Sequence, residues 1–65
     1  MTRGQIIRQK RRERFMTQKE AADEMGVSSA ILSLWERDAV EDIRFDSMER
    51  IARVLDIDPK RLCYI

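Results

Sequence analysis

Two short helical segments joined at a glycine most constrain how this chain of 65 residues can fold. The first segment opens with Thr17 and has Glu20 three residues later, the capping-box spacing that satisfies free backbone N–H groups at a helix start. The second opens after Ser28, a residue type favoured at the N-cap. Between them, Gly26 stands where helices commonly end in the left-handed conformation. The pattern predicts a helix, a tight turn and a second helix, a unit whose second helix can lie in the DNA major groove.

Similar signals divide the rest of the chain into three more helices. Three further pairs have the spacing of a helix start: Thr2 with Gln5, Asp46 with Glu49, and Asp58 with Pro59. The predicted helices cover residues 3–14, 18–25, 28–37, 47–55 and a short stretch from residue 59, with a loop over residues 38–45. The predicted core consists of Ile7, Met16, Ala21, Met25, Val27, Leu32, Trp35, Ile51, Leu55, Ile57 and Leu62. We therefore expect an all-α fold of five helices around one core, forming a single domain over residues 1–65.

Composition excludes several classes of protein. The chain has one cysteine, Cys63, which rules out an intrachain disulfide, and it has no histidine. Neither a zinc site nor a Cys/His catalytic pair can be built from these residues, so we expect no enzyme, no metal, no cofactor and no small-molecule substrate. No apolar run is long enough for a signal peptide or a membrane span, which favours a soluble, cytoplasmic protein.

Charge is distributed unevenly along the chain. Residues 1–20 carry seven basic and two acidic side chains, whereas residues 21–65 carry six basic and ten acidic ones, and the formal net charge is +1. A basic end on a small domain indicates a polyanion as partner. The alternative is that arginine and lysine simply form a good solvated helix face.

The motifs together resemble a known family. Thr17-Gln18, Gly26-Val27-Ser28 and Trp35-Glu36-Arg37, at their mutual spacing, resemble the Cro/repressor class of helix-turn-helix proteins, often called the XRE family. The resemblance extends to Ile57-Asp58-Pro59 and so covers nearly the whole chain. It implies a compact five-helix, lambda-repressor-like domain that binds double-stranded DNA and regulates transcription. Many such proteins come from phages and mobile elements.

The resemblance also implies which residues contact DNA. The positions that face the bases in the family are Ser28, Ser29, Ala30, Ser33 and Leu34 here. Because these are small or apolar, they offer hydroxyl groups and methyl contacts to thymine but no bidentate hydrogen bonds, so we expect modest direct readout with help from DNA shape. The candidate phosphate ligands are Gln18, Thr17, Lys19, Arg8, Arg37 and Arg44. In the family, the positions of Arg11 and Glu36 form a salt bridge, which here would set the angle of the recognition helix.

Two features depart from the family pattern. Phe15 stands where relatives usually have glycine or another residue that tolerates a positive φ, and a phenylalanine would be strained if the helix ended there in the left-handed conformation. We therefore expect this turn to close in another way. The loop after the third helix holds Asp38, Glu41 and Asp42, which DNA phosphates would repel unless the carboxylates point away.

One domain of this size offers only about 600–1,000 Å² to DNA, so we expect a homodimer on a palindromic operator, with half-sites about 34 Å apart. The apolar end of the chain, Leu62, Cys63, Tyr64 and Ile65, is the candidate dimer contact, although Leu62 and Tyr64 could instead cover the core of one subunit. The alternative function is a protein-interaction module that has lost DNA binding. The acidic loop and the apolar Ala30 and Leu34 favour that alternative.

Overall fold

The computed structural model describes residues 1–40 and 42–63, without the side chain of Cys63. This part of the chain contains five α-helices and no strand, as the sequence predicts. The helices are α1 (Arg3–Glu13), α2 (Gln18–Met25), α3 (Ser29–Glu36), α4 (Phe45–Leu55) and α5 (Pro59–Cys63). The part of the chain described here has no helix long and apolar enough to cross a membrane.

The predicted helix starts are confirmed for α1, α2 and α3, because their caps are local. The hydroxyl of Thr17 accepts a hydrogen bond from the backbone N–H of Glu20 at 3.1 Å, and the Glu20 carboxylate accepts one from the N–H of Thr17 at 2.9 Å. A second capping box begins α1 at Thr2. Ser28 caps α3 by accepting a bond from the N–H of Ile31 at 3.2 Å.

The predicted start of α4 is wrong. The helix begins at Phe45, two residues before Ser47, and its N-cap is Arg44, which makes no side-chain capping bond. Asp46 and Glu49 therefore do not form the predicted capping box. Asp46 lies within the first turn, where its carboxylate accepts a bond from the next backbone N–H at 3.0 Å and meets the positive end of the helix dipole.

The first four helices end in the same way, each with a residue in the left-handed conformation. These residues are Phe15 (φ 56°), Gly26 (φ 76°), Asp38 (φ 56°) and Asp56 (φ 55°). At the end of α1, Phe15 donates its N–H to the carbonyl of Arg12 at 3.0 Å, and Met16 donates to that of Arg11 at 3.2 Å. This is the Schellman pattern, which satisfies carbonyls that the helix leaves free. The expectation that Phe15 would close the turn in another way is therefore wrong.

The core lies where the five helices meet. The buried apolar residues are Ile6, Ile7, Ala21, Ala22, Met25, Leu32, Trp35, Ile43, Ile51, Ala52, Leu55, Ile57 and Leu62. Of the predicted core residues, Met16 and Val27 are only partly buried. Leu62 is completely buried among the residues of its own subunit, so it is wrong as a dimer contact. Tyr64, Ile65 and the side chain of Cys63 lie outside the described residues.

A close approach joins the start of α1 to the end of α3. A Cβ atom on Gly4 would lie 2.5 Å from the carbonyl oxygen of Trp35 and 2.6 Å from that of Glu36. The backbone N–H of Gly4 donates to the Asp38 carboxylate at 2.9 Å, and the hydroxyl of Thr2 donates to the same carboxylate at 2.6 Å. The Asp38 carboxylate therefore faces the start of α1 and is hydrogen-bonded there.

Candidate nucleic-acid interface

The start of α3 is an exposed surface of small side chains. Ser28, Ser29 and Ala30 are exposed, as a base-facing surface requires, whereas Ser33 and Leu34 are half-buried. Leu32 and Trp35 turn the other face of the helix into the core. Leu34 is thus a less accessible contact than the sequence predicts.

The sequence reasoning missed Ile31 at this surface. Its side chain is 39% exposed, although its apolar character suggests a core residue. Its position around the helix indicates the exposure: Leu32 and Trp35 define the buried stripe, and Ile31 lies about 100° from Leu32. Exposed methyl groups of Ala30 and Ile31 can contact the methyl group of thymine in the major groove.

A buried ion pair fixes α3 against α1. Arg11 donates from Nε to Glu36 Oε2 at 2.6 Å and from Nη2 to Oε1 at 3.0 Å, which is the bidentate geometry of a guanidinium on a carboxylate. The exposed fractions of the two side chains are 11% and 3%. Arg11 also donates from Nη1 to the carbonyl of Met16 at 2.8 Å. One side chain therefore connects α1, the turn before α2 and the end of α3.

Gln18 joins the same network. Its amide nitrogen donates to Glu36 Oε1 at 3.2 Å, and the side chain is half-buried. An amide nitrogen carries two N–H groups, so one donor remains for an acceptor outside the protein. The ion pair thereby also orients the residue that the resemblance assigns to a phosphate.

Side chains from three helices line one cleft beside α3. The cleft has a volume of about 200 Å³ and is lined by Arg8, Arg11, Gln18, Ser33, Glu36 and Arg37. Arg37, the C-cap of α3, donates from Nε to the carbonyl of Ser33 at 3.4 Å and is exposed, as is Arg8 on α1. Because Glu36 is neutralised by Arg11, the two exposed arginines give this cleft a positive rim.

The other candidate phosphate ligands lie apart from the cleft. Lys19 is exposed on the first turn of α2, and Arg44 is exposed at the N-cap of α4, 4.0 Å from Asp46. Thr17 uses its hydroxyl to cap α2. The bond from the Thr17 backbone N–H, followed by the Thr17 side chain, lowers the pKa of the Glu20 carboxyl below its ordinary value.

One of the three carboxylates of the acidic loop is turned towards the protein. Asp38 accepts bonds from the start of α1, so its carboxylate is directed at the protein. Asp42 is exposed, and Glu41 lies outside the described residues. Within residues 1–40 and 42–63, no cluster of His, Cys, Asp or Glu could hold a metal ion.

Comparison with known proteins decides the family. A sequence model of the helix-turn-helix family matches residues 7–62. The chain belongs to the helix-turn-helix family. No significant match was found among curated protein sequences.

Solved structures of similar fold include a repressor and a regulator. This helix-turn-helix chain is 26% identical to the P22 c2 repressor, solved in complex with a synthetic operator, and the match covers 95% of this chain and 92% of that chain with a TM-score of 0.87. It is 31% identical to SinR, the master regulator for biofilm formation, solved in complex with DNA; the match covers 95% and 98% of the chains with a TM-score of 0.88. The N-terminal DNA-binding domain of SinR from Bacillus subtilis is 30% identical, with coverage of 97% and 91% and a TM-score of 0.87.

Proposed function

We propose that this helix-turn-helix protein is a sequence-specific DNA-binding transcriptional regulator, acting as a repressor. The observation that carries the proposal is the convergence of Arg8, Gln18 and Arg37, from three separate helical segments, on one cleft beside α3. Phosphate contacts of this kind fix the register of a protein on the duplex, while base contacts specify the sequence. The similar structures of the P22 c2 repressor and of SinR, both solved with DNA, support the same function.

The exposed start of α3 is the proposed reading surface. Ser28 and Ser29 supply hydroxyl groups, and Ala30 and Ile31 supply methyl groups. Serine hydroxyls bond either donors or acceptors, and methyl groups distinguish thymine, so the surface favours T-containing steps over a run of G·C pairs. Ser33 and Leu34 are proposed to contribute at the edge of this surface, where they are half-buried.

We propose that two copies bind a palindromic operator. A single domain presents too little surface for tight specific binding, and two copies related by a two-fold axis double it. With Leu62 in the core, the proposed contact at the C-terminal end is reduced to Cys63, Tyr64 and Ile65. An origin in a phage or another mobile element is proposed on the family resemblance.

The alternative of a protein-interaction module is weakened at two of its residues. Asp38 is bonded to the start of α1 and Leu34 is half-buried, whereas Ala30 and Asp42 are exposed. The structures of similar fold that were solved with DNA support the regulator instead. We therefore favour the regulator.

Selection of bound sequences from a random pool of duplex DNA tests the proposal directly. We expect enriched sequences with two-fold symmetry and half-sites about one helical turn apart. Enrichment of a single half-site would retain DNA binding but reject the dimer. No enrichment at low salt would reject the regulator.

A paired set of variants separates the two kinds of contact. Replacing Ser29 with Ala should change the enriched bases with a small loss of affinity, whereas replacing Arg37 with Gln should weaken binding to all sequences about equally. If both variants weaken binding without changing the enriched bases, α3 does not read the sequence.

A further inference from the structure

Phe15 is the most exposed large apolar residue in the described part of the chain. Its side chain is 94% exposed, and its backbone has a φ of 56°. Exposure of a large aromatic ring and a left-handed backbone in a bulky residue are both unfavourable in an isolated subunit. Such strain is concentrated at functional sites, and neither the DNA cleft nor the exposed start of α3 includes Phe15.

Phe15 stands between two grooves of opposite charge. The basic groove, on the outer face of α1, is lined by Gln5, Arg8, Gln9, Arg12, Glu13 and Phe15. The acidic groove, between the end of α1 and α2, is lined by Arg14, Phe15, Met16, Glu20, Asp23 and Glu24. The first has two arginines and one carboxylate, and the second has three carboxylates and one arginine.

Four of the charges in these grooves have no side-chain partner among the described residues, whereas the Glu20 carboxylate accepts a bond from the backbone N–H of Thr17. Among the described residues, the side chains of Arg8 and Arg12 form neither a hydrogen bond nor an ion pair, and the same holds for Asp23 and Glu24. The carboxylate of the basic groove, Glu13, is instead paired with Lys10 at 3.4 Å. The two grooves are therefore free to complement each other between molecules.

We propose that the surface around Phe15 binds the same surface of a second copy of this chain. The two copies are related by a two-fold axis that lies in the contact plane beside Phe15 and runs perpendicular to the line joining the two grooves. It stacks the two Phe15 rings and places the basic groove of each copy on the acidic groove of the other. The contact is thus self-complementary, as an isologous interface requires.

This contact is separate from the C-terminal one proposed above. Arg3, at the first turn of α1, donates to the carbonyl of Leu62 in α5 at 2.8 Å. Phe15 follows the opposite end of α1, about 16 Å further along the helix axis. The surface is small, so the association is weak in free solution and gains when DNA holds two copies close together. Arg8 borders both the basic groove and the cleft beside α3, so Arg12 is the residue proposed to pair across this contact, and the contact is tested without DNA.

Sedimentation equilibrium of the whole chain is the first test. At low salt and concentrations up to about 1 mM, the average mass should rise above that of a monomer, with a dissociation constant in the range of weak complexes. Phe15→Gly removes the ring without harming the turn and should raise the dissociation constant about thirtyfold, the effect of losing a hot-spot aromatic. The matched control is Phe45→Ala, which removes an aromatic ring that is 65% exposed on α4 and should leave the constant unchanged.

Charge exchange is the second test, and it identifies the symmetry. Arg12→Glu and Glu24→Arg should each reduce self-association, because every contact then joins like charges. A mixture of the two variants should associate. The new glutamate of the Arg12→Glu chain then meets the new arginine of the Glu24→Arg chain, and the unchanged Glu24 of the first meets the unchanged Arg12 of the second. Raising the salt to about 0.5 M should weaken both the natural and the mixed association.

Three results would overturn the proposal. The natural chain could remain monomeric throughout the concentration range. Phe15→Gly could leave the association unchanged, which would assign it to the C-terminal end. The mixed variants could fail to associate while an arginine-rich peptide binds the natural chain, which would assign the acidic groove to a different partner. None of these results bears on DNA binding, so the two proposals fail independently.

Discussion

At the scale of single residues, the left-handed position at helix ends shows how different side chains solve one geometric problem. Gly26 takes a φ of 76° without a steric cost, because it has no Cβ atom. Asp38 and Asp56 take similar values, which a short polar side chain tolerates better than a bulky one. Phe15 has neither advantage, so its turn is held by the hydrogen bonds of Met16 and of its own N–H.

Phe15→Gly should therefore stabilise the folded subunit. Relief of the left-handed strain is worth about 1–2 kcal/mol, and the greater freedom of glycine in the unfolded chain offsets about 0.5–1 kcal/mol of it. We expect a net gain of about 0.5–1 kcal/mol, seen as a rise of several degrees in the thermal midpoint. Asp56→Gly is the control and should gain less. A lower midpoint for Phe15→Gly would show that the ring stabilises its own subunit.

The Glu20 carboxyl offers a test of the cap on α2. The Thr17 backbone N–H contributes most to lowering the pKa of Glu20, and the Thr17 side chain contributes next. A carboxyl whose pKa is lower in the folded state stabilises the fold above its unfolded pKa, and this contribution is lost as the pH falls through the folded value.

Variants of Thr17 separate the two causes, with the pKa of Glu20 followed by NMR. Thr17→Val keeps the N–H and should return the pKa only part of the way towards the ordinary value. Thr17→Pro, whose fixed φ suits the observed −75°, lacks the N–H and should return it fully. Equal shifts in the two variants would contradict the leading role of the backbone bond.

At the scale of helices, the contact between α1 and α3 depends on a missing side chain. A Cβ on Gly4 would lie within 2.5–2.8 Å of two backbone carbonyls and the Asp38 carboxylate. Backbone atoms cannot move aside as the end of a flexible side chain can. Gly4→Ala should therefore destabilise the fold by about 1–3 kcal/mol despite the better helix propensity of alanine, as measured by urea unfolding. A neutral or stabilising effect would mean that α1 can move away from α3 freely.

The sequence predicts helix starts well when the signal is local. Thr17 with Glu20, and Ser28, satisfy free N–H groups within their own turn, so residue type and spacing are enough. Asp46 with Glu49 has the same spacing, yet α4 begins at Phe45 with no side-chain cap at all, so the spacing alone does not locate this start. The left-handed conformation of Phe15 could not be predicted either, because the rest of the fold must offset its unfavourable backbone energy.

The candidate site likewise has parts that the sequence could predict and parts that depend on contacts between helices. The family resemblance assigns the exposed start of α3 but omits Ile31, which the helical phase of Leu32 and Trp35 places outside the buried stripe. Pairing of Arg11 with Glu36 was available only from the family resemblance, because 25 residues separate the two in sequence. The turn of Asp38 towards Gly4 could not be predicted, because it depends on how two helices cross.

The pair formed by Arg11 and Glu36 should matter more for orientation than for net stability. Arg11→Met leaves a carboxylate that is 3% exposed without its cation and should cost about 3 kcal/mol. The double variant Arg11→Met with Glu36→Leu strands no charge and should be more stable than the single one, as measured by urea unfolding. Its affinity for the selected operator should remain reduced, since Gln18 and α3 lose their common anchor. Affinity equal to that of the natural protein would reject the orienting role.

At the scale of the whole molecule, net charge is a poor guide to the partner. The chain carries a formal charge of only +1, but seven of its thirteen basic side chains lie in the first 20 residues. Folding places Arg8 of this segment beside Arg37 from the end of α3, while the acidic groove lies along α2. One small domain thus presents a cationic rim for phosphates and an anionic surface elsewhere.

This separation of charge predicts how DNA affinity responds to salt. Each phosphate neutralised by a side chain contributes about 0.9 to the slope of log affinity against log salt. Arg8→Gln and Arg37→Gln should each reduce the slope by about that amount, and the double variant by about twice as much, because the two side chains are proposed to contact different phosphates. Arg53→Gln is the matched control: this arginine is exposed on the last turn of α4, next to the acidic residues of α2, and its loss should leave the slope unchanged. Fluorescence anisotropy with the selected operator at several salt concentrations measures the slopes of the four variants and of the natural protein. Equal slopes for Arg37→Gln and Arg53→Gln would mean that the protein's overall charge, and not the cleft beside α3, attracts the DNA.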